Sequence, residues 1–115
     1  MKKQADTLSS SNRLYYQVKG HGRPLIMVHG WAMHSGVWSD MIDYLSKHYK
    51  VLGLDLRGHG QSFSAGGPYT LEVFARDIST LIDKLGLSDF TLIGWSMGVS
   101  IILKMLSLSL CKKIN

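Results

Sequence analysis

The stretch that most constrains this 115-residue chain is Phe90-Thr91-Leu92-Ile93-Gly94-Trp95-Ser96-Met97-Gly98, a short apolar run closing on Gly-X-Ser-X-Gly. An apolar strand delivers the chain to Ser96, and a helix-compatible run over 97–110 carries it away. In that setting the pattern describes a serine on a sharp, strained turn, with its hydroxyl projecting from the top of a sheet. Glycine at 94 and 98 is required where the helix packs back across the strand, because a Cβ at either position would clash. A five-residue pattern is weak by itself, so the rest of the chain must supply its context.

That context is an alternation of strands and helices. Residues 1–11 are polar with a serine run, and are expected as a separate N-terminal segment, frayed or forming a weak first strand. Residues 12–18 carry aromatic and β-branched side chains, and Lys19-Gly20-His21-Gly22-Arg23-Pro24 reads as a turn. Leu25-Ile26-Met27-Val28 is a continuous apolar run, the pattern of a strand covered on both faces. Val37, Trp38, Met41, Ile42 and Leu45 recur at helical spacing and predict a helix over 36–48. Lys50-Val51-Leu52-Gly53-Leu54 predicts a further strand, followed by a polar, glycine-rich loop from Asp55 to Ser62. Leu71, Phe74, Ile78, Leu81, Ile82 and Leu85 then line one helical face, with Thr70 as the N-cap and Gly86 just past the end. The expected fold class is therefore α/β, a mostly parallel sheet with flanking helices. Its Gly30, Asp55 and Gly94 junctions lie at the carboxyl ends of strands, where open sheets bind ligands.

Composition narrows the function classes. A net charge of +5 could suggest nucleic acid, but Lys and Arg are scattered, with pairs only at Lys2-Lys3 and Lys112-Lys113. That reads as solvation, and no nucleic-acid partner is expected. Cys111 is the single cysteine, so no intrachain disulfide and no CxxC metal or redox motif can form. A reducing, cytoplasmic setting is expected, with no metal and no cofactor. Gln4 to Asn12 is polar, so no signal peptide follows Lys2-Lys3, and the apolar segment 99–110 is short and interrupted by Lys104. No membrane association is expected.

Three motifs in order make the chain resemble the N-terminal half of the α/β-hydrolase superfamily over 13–105: His29-Gly30-Trp31, Asp55-Leu56-Arg57-Gly58-His59-Gly60-Gln61-Ser62, and Gly94-Trp95-Ser96-Met97-Gly98. Within it, the first and third motifs look most like the pimeloyl-acyl-carrier-protein methyl ester esterases and related small carboxylesterases. The resemblance implies a partial α/β-hydrolase domain over 12–115, acting on a small-molecule ester or acyl substrate. It implies Ser96 as nucleophile, with the backbone N–H groups of Trp31 and Met97 as the oxyanion hole, and Gly30, Gly94 and Gly98 as the glycines of loop and elbow. It also implies that His29 orients the oxyanion loop and that the loop bearing His59 is structural. Trp31, Met33, Trp95 and Met97 would offer an apolar wall to an acyl group.

The resemblance has breaks. The family's order is Ser, then Asp or Glu, then His, yet no residue from Met97 to Asn115 is Asp, Glu or His. The expectation is a truncated form, cut after the helix that follows the elbow and lacking the acid and the base. The 90–93 strand would then be an open sheet edge, which makes a non-catalytic module pairing through that edge, with itself or a partner, the alternative. Val99 stands where relatives mostly carry glycine or alanine, and is expected to strain the elbow.

Overall fold

The computed structural model describes residues 2–7, 13–62 and 66–110. Its elements run β1 (Lys2–Thr7), β2 (Arg13–Lys19), β3 (Pro24–Val28), a 3-10 turn (Ser35–Trp38), α1 (Ser39–Leu45), β4 (Lys50–Leu54), a second 3-10 turn (Gly60–Ser62), α2 (Leu71–Lys84), β5 (Thr91–Gly94) and α3 (Met97–Ser107). Of the two readings of the N-terminal segment, the strand is realised: β1 pairs antiparallel with β2, Lys2 opposite Val18 and Thr7 opposite Arg13.

The sheet order is β1-β2-β4-β3-β5. β2 meets β4 antiparallel, while β3 lies parallel to both β4 and β5, with Ile26 aligned to Leu52 on one side and Leu92 on the other. The apolar run of β3 needs cover on both faces, and it receives it. Leu25 and Met27 pack with Trp38, Ile42 and Val51 beneath α1. Ile26 and Val28 pack with Leu52, Leu54, Phe74, Ile78, Leu81, Ile101 and Met105 beneath α2 and α3. This three-layer arrangement follows from the two-residue period of a strand feeding opposite faces. Among the described residues no helix is long and apolar enough to cross a membrane.

The helix signals translate unevenly. In α2 the Thr70 hydroxyl accepts from the Val73 N–H at 3.2 Å. At its other end Gly86, at φ +67°, lets Leu87 N–H reach Ile82 C=O and Gly86 N–H reach Asp83 C=O. That is a Schellman closure on glycine. The helix expected over 36–48 is shorter. His34 Nδ1 accepts from Gly36 N–H at 3.0 Å and starts a 3-10 turn, so the α-helix proper begins at Ser39. The final helix stops at Ser107, not 110, because Ser109 adopts φ +52° and Leu110 N–H closes onto Met105 C=O.

β3 and β5 are neighbours whose following helices lie on opposite faces, α1 on one and α3 on the other. The crevice at their carboxyl ends is a topological switch point, where open α/β sheets bind ligands.

Candidate active site

Ser96 sits at that crevice between β5 and α3. Its backbone adopts φ +58°, ψ −120°, a conformation that non-glycine residues rarely hold. Trp95 N–H donates to Val28 C=O at 3.1 Å, so β5 stays tied to β3 up to the residue before the turn. Gly98 N–H then donates to Trp95 C=O and Val99 N–H to Ser96 C=O, closing the turn into α3. The side chain of Ser96 is exposed.

The two elbow glycines do different jobs. A Cβ on Gly94 would lie 2.7 Å from the Gly98 carbonyl carbon and 2.8 Å from Val99 N, so it faces the first turn of α3. A Cβ on Gly98 would collide with the Val28 carbonyl of the neighbouring strand β3. The expected close packing is therefore present, but Gly98 makes it against β3 instead of its own strand. The strain expected from Val99 is absent: its side chain is 47% exposed, and only its backbone N takes part in the tight contact.

The loop after β3 lies against the serine. A Cβ on Gly30 would stand 3.2 Å from Ser96 Cβ, 3.2 Å from Trp95 O and 3.6 Å from Met33 Sδ. Met33 N–H donates back to Gly30 C=O at 3.2 Å, and Ala32 holds φ +62°, so the loop is a tight turn. Among the described residues neither the Trp31 N–H nor the Met97 N–H donates to a backbone carbonyl.

His29 fixes this loop from beneath. It is fully buried, and Leu56 N–H donates to its Nε2 at 3.0 Å. Nε2 therefore carries the lone pair and Nδ1 the proton, which is donated to Gly30 C=O at 2.7 Å. Desolvation pushes this imidazole below its ordinary pKa, against the opposing effect of the Gly30 hydrogen bond. With both nitrogens engaged, His29 is a strut between the two loops.

The Asp55–Ser62 loop is a second strut. Asp55 is buried, and its carboxylate accepts from Ser35 N–H at 2.6 Å and Gln61 N–H at 2.9 Å. Ser62 Oγ accepts from Tyr15 N–H and donates to Asp55 C=O, both at 2.8 Å, tying the loop to β2. Arg57 forks onto Asp77 of α2, Nε to Oδ2 and Nη2 to Oδ1 at 2.7 Å each, and Nη1 donates to Gly66 C=O. Those hydrogen bonds to Asp77 raise the Arg57 pKa against the cost of burial. His59 donates from Nδ1 to Arg57 C=O at 2.9 Å, and its ring sits among those of His29, Trp31 and Phe74 at 5.3, 5.0 and 6.0 Å.

The four residues expected as an acyl wall separate. Trp31 and Met33 line a cleft of about 550 Å³. Trp95 instead meets Trp38 edge-on at 6.1 Å, on the α1 side. Tyr69 and His59 join the cleft wall unannounced by the sequence, since Tyr69 lies in a loop outside any periodic run. Among the described residues no three His, Cys, Asp or Glu side chains cluster as a metal site would require.

Comparison with known proteins agrees with this geometry. Residues 23–114 match the family described as alpha/beta hydrolase fold. The chain is 38% identical over 91 residues to the (E)-2-((N-methylformamido)methylene)succinate hydrolase of Acinetobacter baylyi, covering 79% of this chain and 35% of that protein. It is 32% identical over 92 residues to the pimeloyl-[acyl-carrier protein] methyl ester esterase of Nitrosomonas europaea, covering 80% and 34%. Among solved structures, an esterase from Exiguobacterium antarcticum superposes with a TM-score of 0.80 at 34% identity, covering 84% of this chain and 36% of that one. The chain thus spans about a third of the length of the relatives it matches. With the fold, the three loops and the family match in agreement, this chain belongs to the alpha/beta hydrolase fold family.

Proposed function

We propose that this chain carries the nucleophilic part of a serine hydrolase acting on carboxylic esters. The observation that carries the reading is Ser96 in its strained turn, with the Gly30 backbone against its Cβ. Ser96 Oγ adds to the ester carbonyl carbon, and the C=O electron pair moves onto oxygen. The N–H groups of Trp31 and Met97, which donate to no backbone carbonyl among the described residues, receive that oxyanion, each contributing on the order of 3 kcal/mol to the transition state. The intermediate collapses with loss of the alcohol, leaving an acyl-enzyme that water hydrolyses. The serine proton must pass to a base and then to the departing alcohol.

None of residues 97–115 is Asp, Glu or His; His29 has both ring nitrogens engaged, and His59 is held in its loop through Nδ1 on Arg57 C=O. The acid and the base of the proposed triad are thus not among residues 97–115, and a serine hydrolase without its base loses about a millionfold in rate. The proposal includes a small ester or acyl substrate, no cofactor, no nucleic-acid or membrane partner and a cytoplasmic setting.

The test is a chimera in which the part of the Exiguobacterium esterase beyond its matched region continues this chain. Fluorophosphonate labelling and hydrolysis of p-nitrophenyl acetate are expected in the chimera, undetectable in the 115-residue chain alone, and lost on Ser96→Ala. A folded chimera that leaves Ser96 unlabelled defeats the proposal.

A second reading, a non-catalytic module that pairs through its sheet edge, is favoured by one observation. β5 closes the strand order, and Val99, Leu103 and Leu106 beside it are 47%, 59% and 50% exposed. It predicts a defined, soluble oligomer in sedimentation velocity, whereas a monomer or an indefinite aggregate counts against it.

A further inference from the structure

The cleft beside the oxyanion loop has features that the hydrolytic steps do not use. It shares Met33 with the surroundings of the nucleophile: Met33 lines it, and a Gly30 Cβ would stand 3.6 Å from Met33 Sδ and 3.2 Å from Ser96 Cβ. At about 550 Å³ it is within the ordinary range for small-molecule sites. Its rim is aromatic. Trp31 is 58% exposed and Tyr69 is 47% exposed, both large rings that a chain gains by covering.

The wall carries polar side chains as well, His34, Arg57 and His59 among them. His59 is 7% exposed, and its Nδ1 is committed as a donor to Arg57 C=O. In the neutral ring this leaves Nε2 as an acceptor. Trp38 Nε1 is the one buried side-chain atom sealed off without a partner among the described residues, so His59 Nε2 is not sealed. Since His59 lines the cleft, Nε2 meets solvent there. Two exposed aromatic rings beside a ring-nitrogen acceptor favour a planar ring that carries a donor.

We propose that this cleft is a recognition subsite for an aromatic ring bearing a hydroxyl or N–H group, gripped by Trp31 and Tyr69 and read by His59 Nε2. Its part in catalysis rests on Ser96 being the nucleophile, because only then is the ring one end of a bound ester. Its binding property does not. His59 acts here as a specificity residue, distinct from any role in proton transfer.

The test is a titration of the ¹⁵N-labelled 115-residue chain with phenol and with anisole, which has the ring but no donor. Phenol is expected to shift the Trp31 indole N–H and the Gly58 and Tyr69 amides, and to bind about five- to tenfold more tightly than anisole. Tyr69→Ala weakens both ligands and leaves the exposed loop otherwise intact. His59→Phe brings phenol down to the affinity of anisole, and Ser96→Ala changes neither. Equal affinity for the two ligands, shifts centred on Trp95, or unchanged binding in Tyr69→Ala overturns the proposal. Since the measurement uses no Ser96 chemistry, it can succeed where the labelling test fails, and the reverse.

Discussion

Gly98 lies so close to the backbone carbonyl of Val28 that no Cβ fits between them. The obstacle is a strand carbonyl in the middle of the sheet, which cannot rotate aside as a flexible side chain would. Gly98→Ala is therefore expected to destabilise the fold by about 3 kcal/mol, the upper range for overpacking. Gly66→Ala provides the control: nothing lies within 4 Å of that position and its φ is not positive. Its urea midpoint should match that of the parent to within about 0.5 kcal/mol.

Ser96 stores strain that a glycine would release. At φ +58°, ψ −120° any side chain is disfavoured, by about 1–3 kcal/mol. Ser96→Gly should raise stability by about 1 kcal/mol or more in urea denaturation, while Ser96→Ala, which keeps the Cβ, should not. A gain in both variants would mean that the hydroxyl itself, and not backbone strain, is the cost.

The Arg57–Asp77 fork holds the Asp55–Ser62 loop onto α2, with both side chains 9% exposed. Asp77→Ala leaves a buried guanidinium without its counter-ion and should cost about 3–5 kcal/mol. Replacing both, as Arg57→Met with Asp77→Leu, removes the stranded charge and should recover most of that loss. Chemical denaturation of the single and double variants decides the matter.

His29 makes stability depend on pH. Burial lowers its folded-state pKa, so the unfolded chain, titrating near about 6.5, takes up the proton first. Above that value both states are neutral and this residue adds no pH dependence. As pH falls through and below it, stability drops, levelling only once the folded-state pKa is passed. Urea midpoints at pH 7.5 and pH 5.5 should differ in the parent. They should differ less in His29→Gln, which is less stable throughout but has no imidazole to protonate.

Much of this architecture is legible in local residue patterns, and the parts that are not share a cause. β3, β4 and α2 were readable because their signals are contained within themselves: an apolar run, a helical stripe, a threonine before it and a glycine after it. Gly30, Gly94, Ser96 and Gly98 were readable for the same reason, as turn chemistry at strand ends. The start of α1 was not, since it depends on His34 bonding to Gly36 N–H, a histidine in a role usually filled by Ser or Asp. Nor was the end of α3, where Ser109 takes the left-handed position that normally advertises itself as glycine. The pairing of Trp95 with Trp38 and the placing of Tyr69 beside Trp31 join distant segments, and no local spacing encodes them.

The backbone N–H groups of Trp31 and Met97, which donate to no backbone carbonyl among the described residues, have a consequence for how this site can change. Under the proposed assignment the chemistry uses N–H groups that every amino acid except proline possesses. Substitution at 31, 33 or 97 can then rewrite which molecules are accepted while the donor geometry stays fixed. A saturation library at those three positions should yield many folded members with altered preference. One at Gly94 and Gly98, where backbones meet with no space for a Cβ, should yield almost none.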